Sequence, residues 1–196
     1  MKHGPRRLSR PSHRPSCRAE VRTGGDQGRN IMRDAVAAII DHDCARHEDL
    51  PSLVADLPDE LALWELMSAY NWDDGFAVPL AVIEHPRCDR ALALRMFWEL
   101  DDTGELHHSD EDAAIRELYA SDAERDPDGF RTLLAYCTTL VDRLREQSFP
   151  NGRNRFDTGY LNLDDPTLTE RQRAIRAAHT KRARKEFEDA FLQPEL

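Results

Sequence analysis

Apolar residues recur at helical spacing over most of the chain after residue 30. Three sets fall at positions i, i+3, i+4 and i+7: Met32, Ala35, Val36 and Ile39; Leu63, Leu66, Met67 and Tyr70; and Ala93, Met96, Phe97 and Leu100. A set with this spacing makes one apolar face on an α-helix. The pattern therefore predicts amphipathic helices that pack their apolar faces around a shared core.

The strongest apolar stripe follows Asp126-Pro127, a pair typical of a helix start because aspartate caps the helix and proline suits its first turn. Seven positions form a stripe two heptads long: Phe130, Leu133, Leu134, Cys137, Leu140, Val141 and Leu144. We predict that this segment is the central helix of the core.

A last long helix is predicted to begin near Thr167 or Thr169, each of which is followed three residues later by Glu or Gln in capping-box spacing. It carries five apolar residues that we expect to face the core: Ile175, Ala178, Phe187, Ala190 and Phe191. In the loop before it, Pro150-Asn151-Gly152 and Asp157-Thr158-Gly159 mark turns that suit a short hairpin.

The same helix has a dense basic run: Arg171, Arg173, Arg176, Lys181, Arg182, Arg184 and Lys185. One interpretation is nucleic-acid binding. The other is a helix that lays its apolar face on the core and leaves its cations in solvent. The negative charge of the rest of the chain opposes a polyanion, so we favour the second interpretation and expect no nucleic-acid partner.

Two adjacent stretches resemble copies of one helical hairpin, 28 residues apart. At this offset six positions match: Pro51 with Pro79, Val54 with Val82, Pro58 with Pro86, Leu66 with Leu94, and Asp73-Asp74 with Asp101-Asp102. In each copy a proline opens a short helix, a second proline closes it, and a longer amphipathic helix follows. This predicts two stacked, solenoid-like hairpins; the alternative is a coincidence within a compact helical domain.

Together these patterns predict an all-α protein, a compact domain of about six to eight helices over residues 31–196. Residues 1–30 are rich in Arg, Pro, Ser and Gly and contain almost no apolar residue. They are predicted to be a disordered basic tail that contributes nothing to the core. Because the helical pattern begins at Met32, we expect that the native chain starts there.

Charge is divided unevenly between the tail and the domain. The first 30 residues hold eight Lys or Arg and two Asp or Glu, which leaves −16 on the remainder against −10 for the whole chain. An acidic domain favours a basic partner.

No apolar run is long enough to cross a bilayer, so we expect no membrane partner. Four scattered cysteines, Cys17, Cys44, Cys88 and Cys137, suit free thiols in the cytoplasm.

The most distinctive stretch is the hexapeptide Tyr70-Asn71-Trp72-Asp73-Asp74-Gly75, followed by Pro79 and by His85-Pro86-Arg87-Cys88-Asp89. Two close aspartates can share a proton or hold a divalent cation, which makes them the obvious catalytic candidates. The alternative is a helix boundary at which Gly75 ends one helix and an aspartate caps the next. Because Asp101-Asp102 recurs at the matching place, we favour the structural role and assign no catalytic residue.

The hexapeptide also suits recognition, because an indole beside two exposed acids combines apolar area with charge. As the candidate binding surface we take six residues: Tyr70, Asn71, Trp72, Asp73, Asp74 and His85.

Potential metal ligands fall into two groups: His42, Cys44 and His47, and then His85 and Cys88. Their spacing fits no standard zinc motif, and His42 and His47 would point to different faces of a helix. The chain has no Gly-rich phosphate loop, no catalytic-triad order and no nucleophile elbow. The sequence therefore predicts no metal and no other cofactor.

The stretch from Tyr70 to Leu100 resembles a family of uncharacterised bacterial proteins, domain of unknown function 4274. The resemblance rests on the hexapeptide, Val78-Pro79, His85-Pro86, Cys88-Asp89 and an Ala-Leu-rich helix that ends in Phe97-Trp98. Residues 157–160 are similar to the family's tail only loosely. The resemblance implies a bacterial, intracellular, helical protein and supplies no catalytic residues.

Two classes of function follow. The first is a non-enzymatic acidic protein-binding module, an immunity-like or adaptor protein that binds a basic partner through electrostatic complementarity. The second is a metal-dependent, hydrolase-like enzyme that uses Asp73, Asp74 and His85. We favour the first class because the sequence offers no complete catalytic set.

Overall fold

Nine α-helices and one 3-10 helix are present in residues 33–41, 50–99 and 120–196, the parts of the chain that the computed structural model describes. The α-helices are α1 (Asp34–Ile40), α2 (Leu50–Ala55), α3 (Glu60–Ala69), α4 (Ala77–Glu84), α5 (Arg90–Glu99), α6 (Ala120–Arg125), α7 (Pro127–Arg145), α8 (Glu170–Ala183) and α9 (Asp189–Leu192), and the 3-10 helix is Trp72–Asp74.

The prediction of an all-α protein is confirmed. The described segments contain nine α-helices rather than six to eight because α9 is a single turn and only one residue, Asp126, separates α6 from α7. All described residues belong to one compact unit, Met32–Leu196. The predicted disordered tail, the expected start at Met32 and the pair Asp101-Asp102 lie outside the described residues.

The two helix pairs of the predicted hairpins, α2 with α3 and α4 with α5, lie side by side. The first helices of the pairs, α2 and α4, pack together, and so do the second helices, α3 and α5. Arg95 of α5 donates to Ser68 Oγ of α3 at 2.7 Å, and its guanidinium lies 4.6 Å from the ring centre of Trp64. These contacts place α3 and α5 side by side, and Asn154, which bonds to both Glu60 and Asp89, brings the starts of the two helices together.

The two hairpins are related by a different offset from the one that the sequence suggests. The second helices begin at residues 60 and 90 and end at 69 and 99, an offset of 30 rather than 28. Asp59 and Asp89 match at this offset, since each accepts a hydrogen bond from the backbone N–H three residues later. Two extra residues before α5 shift the register, so Leu66 corresponds to Met96 and not to Leu94.

Helix α7 is the central core helix that its apolar stripe predicts. Its inner face is fully or almost fully buried at Leu133, Tyr136, Cys137, Leu140, Val141 and Leu144. Asp126 caps its first turn by accepting from the Gly129 N–H at 2.9 Å. Tyr136 packs on Phe76 at the start of α4, and Arg143 donates to the carbonyl of Ile83 near the end of α4. The two helices therefore run parallel.

The predicted apolar face of α8 does not pack on the core. Ile175 is 46% exposed, and of the whole helix only Thr180 and Ala183 are buried. The inner contacts of α8 are polar: Thr180 Oγ1 donates to the carbonyl of Tyr160, and Arg176 pairs with Asp157 at 3.0 Å. Polar bonds to the preceding loop thus decide which face turns inward.

Core packing resumes after α8, where Phe191 is fully buried and Phe187 and Ala190 lie against the core. The capping box at Thr169 is confirmed. The short hairpin suggested for residues 150–159 is not formed. Instead, Phe156 makes an isolated antiparallel bridge with Glu195 near the C-terminus.

Candidate functional site

Residues 70–76, called the acidic turn here, connect the two stacked hairpins. Asn71 organises this turn: its side-chain oxygen accepts from the Asp73 N–H at 3.3 Å, and its amide donates to Asp74 Oδ1 at 3.2 Å. Gly75 closes the turn at a φ of +95°, a conformation that glycine adopts without steric cost. The carbonyl of Gly75 accepts from the Tyr70 hydroxyl at 2.9 Å.

A cluster of aromatic rings packs around Trp72 of the acidic turn. The ring of Trp72 lies 6.1 Å from that of Tyr70, 6.2 Å from that of Phe76 and 6.2 Å from that of Tyr136 on α7. Edge-on and tilted pairs at these separations are the preferred aromatic geometries. Trp72 therefore packs, as the sequence predicts, while part of its ring stays accessible.

Asp73 and Asp74 are exposed at the tip of the acidic turn. Neither has an ion-pair partner among the residues that the structure describes. The structural role expected for them is wrong, because the N-cap of α4 is Phe76 and makes no side-chain cap bond. The 3-10 helix Trp72–Asp74 is capped by Asn71 instead. The acid pair is thus held in place without being used as a cap.

The pKa of the Tyr70 hydroxyl reflects its place between the core and the acid pair. Partial burial raises this pKa, and the negative charge of Asp74 raises it further. Tyr70 therefore stays protonated and keeps its hydrogen bond to Gly75 throughout the physiological pH range. The bond fixes the shape of the turn from which the two carboxylates project.

His85 lies apart from the other five predicted surface residues. It directly follows the last residue of α4. The eight-residue helix is about 12 Å long, so His85 lies about 12 Å from the end of α4 that adjoins the acidic turn. Its side chain is only 5% exposed, and its Nδ1 accepts from the Arg87 N–H at 3.1 Å. We therefore leave His85 out of the candidate surface, which comprises the acidic turn alone.

A buried polar network that sequence reasoning missed lies around Asp89. One oxygen of Asp89 accepts from the Leu92 N–H at 3.0 Å and the other from the Asn154 N–H at 3.2 Å. A Cβ on Gly152 would fall 2.1 Å from Asp89 Oδ2, so only glycine fits there. Two features of the sequence could have indicated this network: Cys88-Asp89 before a predicted helix, and the turn at Pro150-Asn151-Gly152.

Arg90, the residue after Asp89, connects the same region to the C-terminal segment. Its N–H donates to the carbonyl of Pro150 at 3.0 Å, while its guanidinium contacts the Ala190 carbonyl at 2.8 Å and pairs with Glu195. These residues border a cleft of about 470 Å³, lined by Arg90, Gln147, Phe149, Pro150, Asn151, Gln193 and Glu195. The guanidinium of Arg90 in this cleft is already paired with Glu195 of the C-terminal segment.

The two cysteines that the structure describes are packed as apolar residues. Cys88 and Cys137 are both outside any disulfide and fully buried. Burial raises the pKa of Cys137 to about 12 and raises that of Cys88 as well, with the charge of Asp89 adding to the effect. Neither thiol is ionised near neutral pH, so neither suits nucleophilic chemistry.

No group of three or more His, Cys, Asp or Glu side chains in the described segments is arranged to hold a metal ion. His42, Cys44 and His47 lie outside those segments. Likewise, no described helix combines the length and apolar character that crossing a membrane requires.

Residues 58–134 match the model of a family described as a domain of unknown function (DUF4274). The match includes α3, the acidic turn, α4, α5, α6 and the first part of α7. No curated protein and no solved structure matches the chain at a significant level.

Proposed function

We propose that this protein is a non-enzymatic protein-binding module, of the immunity-like or adaptor type, whose acidic turn recognises a basic partner. One observation carries the proposal: Asp73 and Asp74 project into solvent with no cation beside them in the described structure, on a turn fixed by Asn71 and supported by aromatic rings. A pair of exposed carboxylates next to accessible aromatic surface favours a cationic partner. We further propose a bacterial, cytoplasmic setting.

The aromatic residues of the acidic turn add apolar contact area to the charge of the two aspartates. Exposed ion pairs contribute only about 0–1 kcal/mol each and act mainly on association rate and specificity. Partly accessible Trp and Tyr rings add contact area at a low cost in conformational entropy. Trp72 and Tyr70 are therefore expected to supply apolar contacts, and the two aspartates to orient the partner.

The alternative hydrolase hypothesis finds no supporting observation. In the described residues, the acid pair is not joined by a histidine, because His85 is buried at the far end of α4. We therefore propose no enzymatic function.

Affinity capture from extracts of the native cell tests the proposal. The wild-type chain is compared with Asp73→Lys/Asp74→Lys, which reverses the charge of the turn. Asp142→Lys/Glu146→Lys is the matched control, because it changes two exposed acids at the C-terminal part of α7 by the same amount. We expect a basic protein that the wild type and the control retain and that the turn variant loses. Equal retention by all three proteins would contradict the proposal.

A further inference from the structure

Arg90 carries a positive charge at a place where the fold disfavours one. It is the first residue of α5, and the start of a helix has partial positive charge. Its side chain is only 9% exposed, and among the described residues Glu195 is the one acid that pairs with it. The carboxylate of Asp89, next to it in the chain, is occupied by two backbone N–H groups. The buried guanidinium therefore requires a carboxylate from elsewhere.

That carboxylate comes from residues 193–196, called the strap here, which follow α9. Glu195 also pairs with Phe156 through both backbone groups. The Glu195 N–H donates to the Phe156 carbonyl at 2.9 Å, and the Phe156 N–H donates to the Glu195 carbonyl at 2.7 Å. One extended acidic residue is thus recognised twice, through its backbone by Phe156 and through its side chain by Arg90.

The strap is attached more weakly than the helix before it. None of its four side chains is buried, and Leu196 is 62% exposed. In α9, by contrast, Phe191 and Leu192 are buried, and the Leu192 carbonyl accepts from the Thr158 hydroxyl. Segments with few buried apolar contacts open at a low cost in free energy. The strap can therefore leave its place while α9 stays packed.

The cleft of about 470 Å³ lies beside the strap and is lined in part by it, through Gln193 and Glu195. The exposed side chains of Gln147 and Asn151 also line the cleft and make no hydrogen bond to another described residue. A carboxamide both donates and accepts hydrogen bonds, as the peptide groups of an extended chain do. The cleft thus offers room and unused hydrogen-bonding groups next to Glu195.

We propose that the cleft around Arg90 is a binding site for an extended acidic segment of a partner protein, and that the strap occupies this site in the chain alone. The incoming segment displaces the strap, pairs its backbone with Phe156 and places a carboxylate on Arg90. Its flanking peptide groups bond to Gln147 and Asn151. Pairing an extended segment with an available backbone edge is a general mode of peptide recognition. The site uses no residue of the acidic turn, so it is independent of the proposed function.

The strap competes with any added segment. Because it is tethered beside the site, its effective concentration is high, and the wild type should bind an added peptide weakly. Glu195→Gln keeps the size of the side chain and the backbone bridge but removes the charge that pairs with Arg90. The variant should therefore loosen the strap and make the site available.

An NMR titration of the full chain with an end-capped peptide, Gln-Pro-Glu-Leu, tests the proposal. This is the sequence of residues 193–196. We expect Glu195→Gln to bind the peptide about tenfold or more tightly than the wild type does. Glu188→Gln is the matched control: it removes an exposed acid that does not line the cleft, so it should bind like the wild type.

Two altered peptides separate the two contacts. One has glutamine in place of glutamate and loses the charge that pairs with Arg90. The other has a methyl group on the glutamate nitrogen and loses the N–H that donates to Phe156. Each should bind Glu195→Gln about tenfold or more weakly than the unaltered peptide does.

A second measurement needs no variant and so remains decisive if Glu195→Gln fails to fold. In the wild type with excess peptide, the N–H of Glu195 should exchange with solvent faster, because the strap is displaced. The N–H of Phe156 should stay protected, because the peptide takes the place of the strap.

Three outcomes would overturn the proposal: unchanged exchange at Glu195, equal binding by the wild type and Glu195→Gln, or equal binding of the acidic and glutamine peptides. Glutarate that binds as tightly as the peptide would assign the site to small carboxylates instead.

Discussion

The buried carboxylate of Asp89 accepts a hydrogen bond from the backbone N–H of Asn154, 65 residues later in the chain, at 3.2 Å. The other oxygen of Asp89 holds the Leu92 N–H at the start of α5. One side chain thus attaches the loop after α7 to the second stacked hairpin. Asp89 is 1% exposed, so loss of its carboxylate leaves both donors without water as a replacement partner.

Replacing Asp89 should destabilise the fold far more than replacing its counterpart in the first hairpin. We expect Asp89→Ala to lower the free energy of unfolding by about 2–4 kcal/mol, because two buried N–H groups lose their acceptor. Asp59→Ala removes the corresponding cap at a partly exposed site and should cost about 1–2 kcal/mol. Urea denaturation measures both values, and equal losses would contradict the burial argument.

Gly152 and Asp89 are predicted to be energetically coupled. Because the Cβ of Gly152→Ala would fall 2.1 Å from a buried carboxylate oxygen, the substitution should cost about 1–3 kcal/mol. Gly129→Ala is the control: its Cβ would fall 2.2 Å from the carboxylate of Asp126, but that carboxylate can move into solvent. A double-mutant cycle checks the coupling: the cost of Gly152→Ala should shrink in an Asp89→Gly background, which also removes the Asp89 Cβ that would lie 2.6 Å from the new Cβ. Strict additivity would refute the contact.

The C-terminal ion pair between Arg90 and Glu195 should matter more than an exposed pair. The side chains of Arg90 and Glu195 are 9% and 30% exposed, so Glu195→Ala leaves a largely buried guanidinium short of one partner. We expect a loss of about 2–3 kcal/mol in the free energy of unfolding. Glu188→Ala breaks the more exposed pair with Arg145 and should cost about 0–1 kcal/mol. Thermal or chemical unfolding that ranks the two variants the other way would contradict this account.

Cys137 and Cys88 should resist alkylation in the folded protein. The pKa of Cys137 is raised from 9.0 to about 12, which lowers its thiolate fraction at pH 8 by about a thousandfold. Mass mapping after iodoacetamide treatment should show both cysteines unmodified under native conditions and modified in denaturant. Rapid native labelling of either thiol would show that the core is open at that point.

Sequence patterns predict the helices of this fold better than their long-range contacts. The stripe and cap of α7 are local features, so the sequence predicts both correctly. The bond from Asp89 to Asn154 is not visible locally, because an aspartate before a helix looks like an ordinary exposed cap. In α8 the apolar spacing is misleading, since hydrogen bonds from Thr180 to the preceding loop decide which side turns inward.

The acidic turn is a mixed case. Its exposed acids and packed Trp72 agree with the sequence analysis, whereas the capping role expected for the acids does not. The difference arises because Asn71 takes the cap position of the 3-10 helix and the N-cap of α4 is Phe76, which makes no side-chain cap bond. His85 is excluded from the surface by burial, which depends on packing from other elements.

The proposal that the acidic turn is the recognition surface is tested most directly by the affinity of the captured basic partner for the wild-type chain and its variants. This affinity is measured by titration at two salt concentrations. We predict that Asp73→Lys/Asp74→Lys raises the dissociation constant about tenfold or more at low salt, with a smaller effect at about 0.5 M salt. The control Asp142→Lys/Glu146→Lys should bind like the wild type. If the turn variant binds as tightly as the control at both salt concentrations, the acidic turn is not the recognition surface.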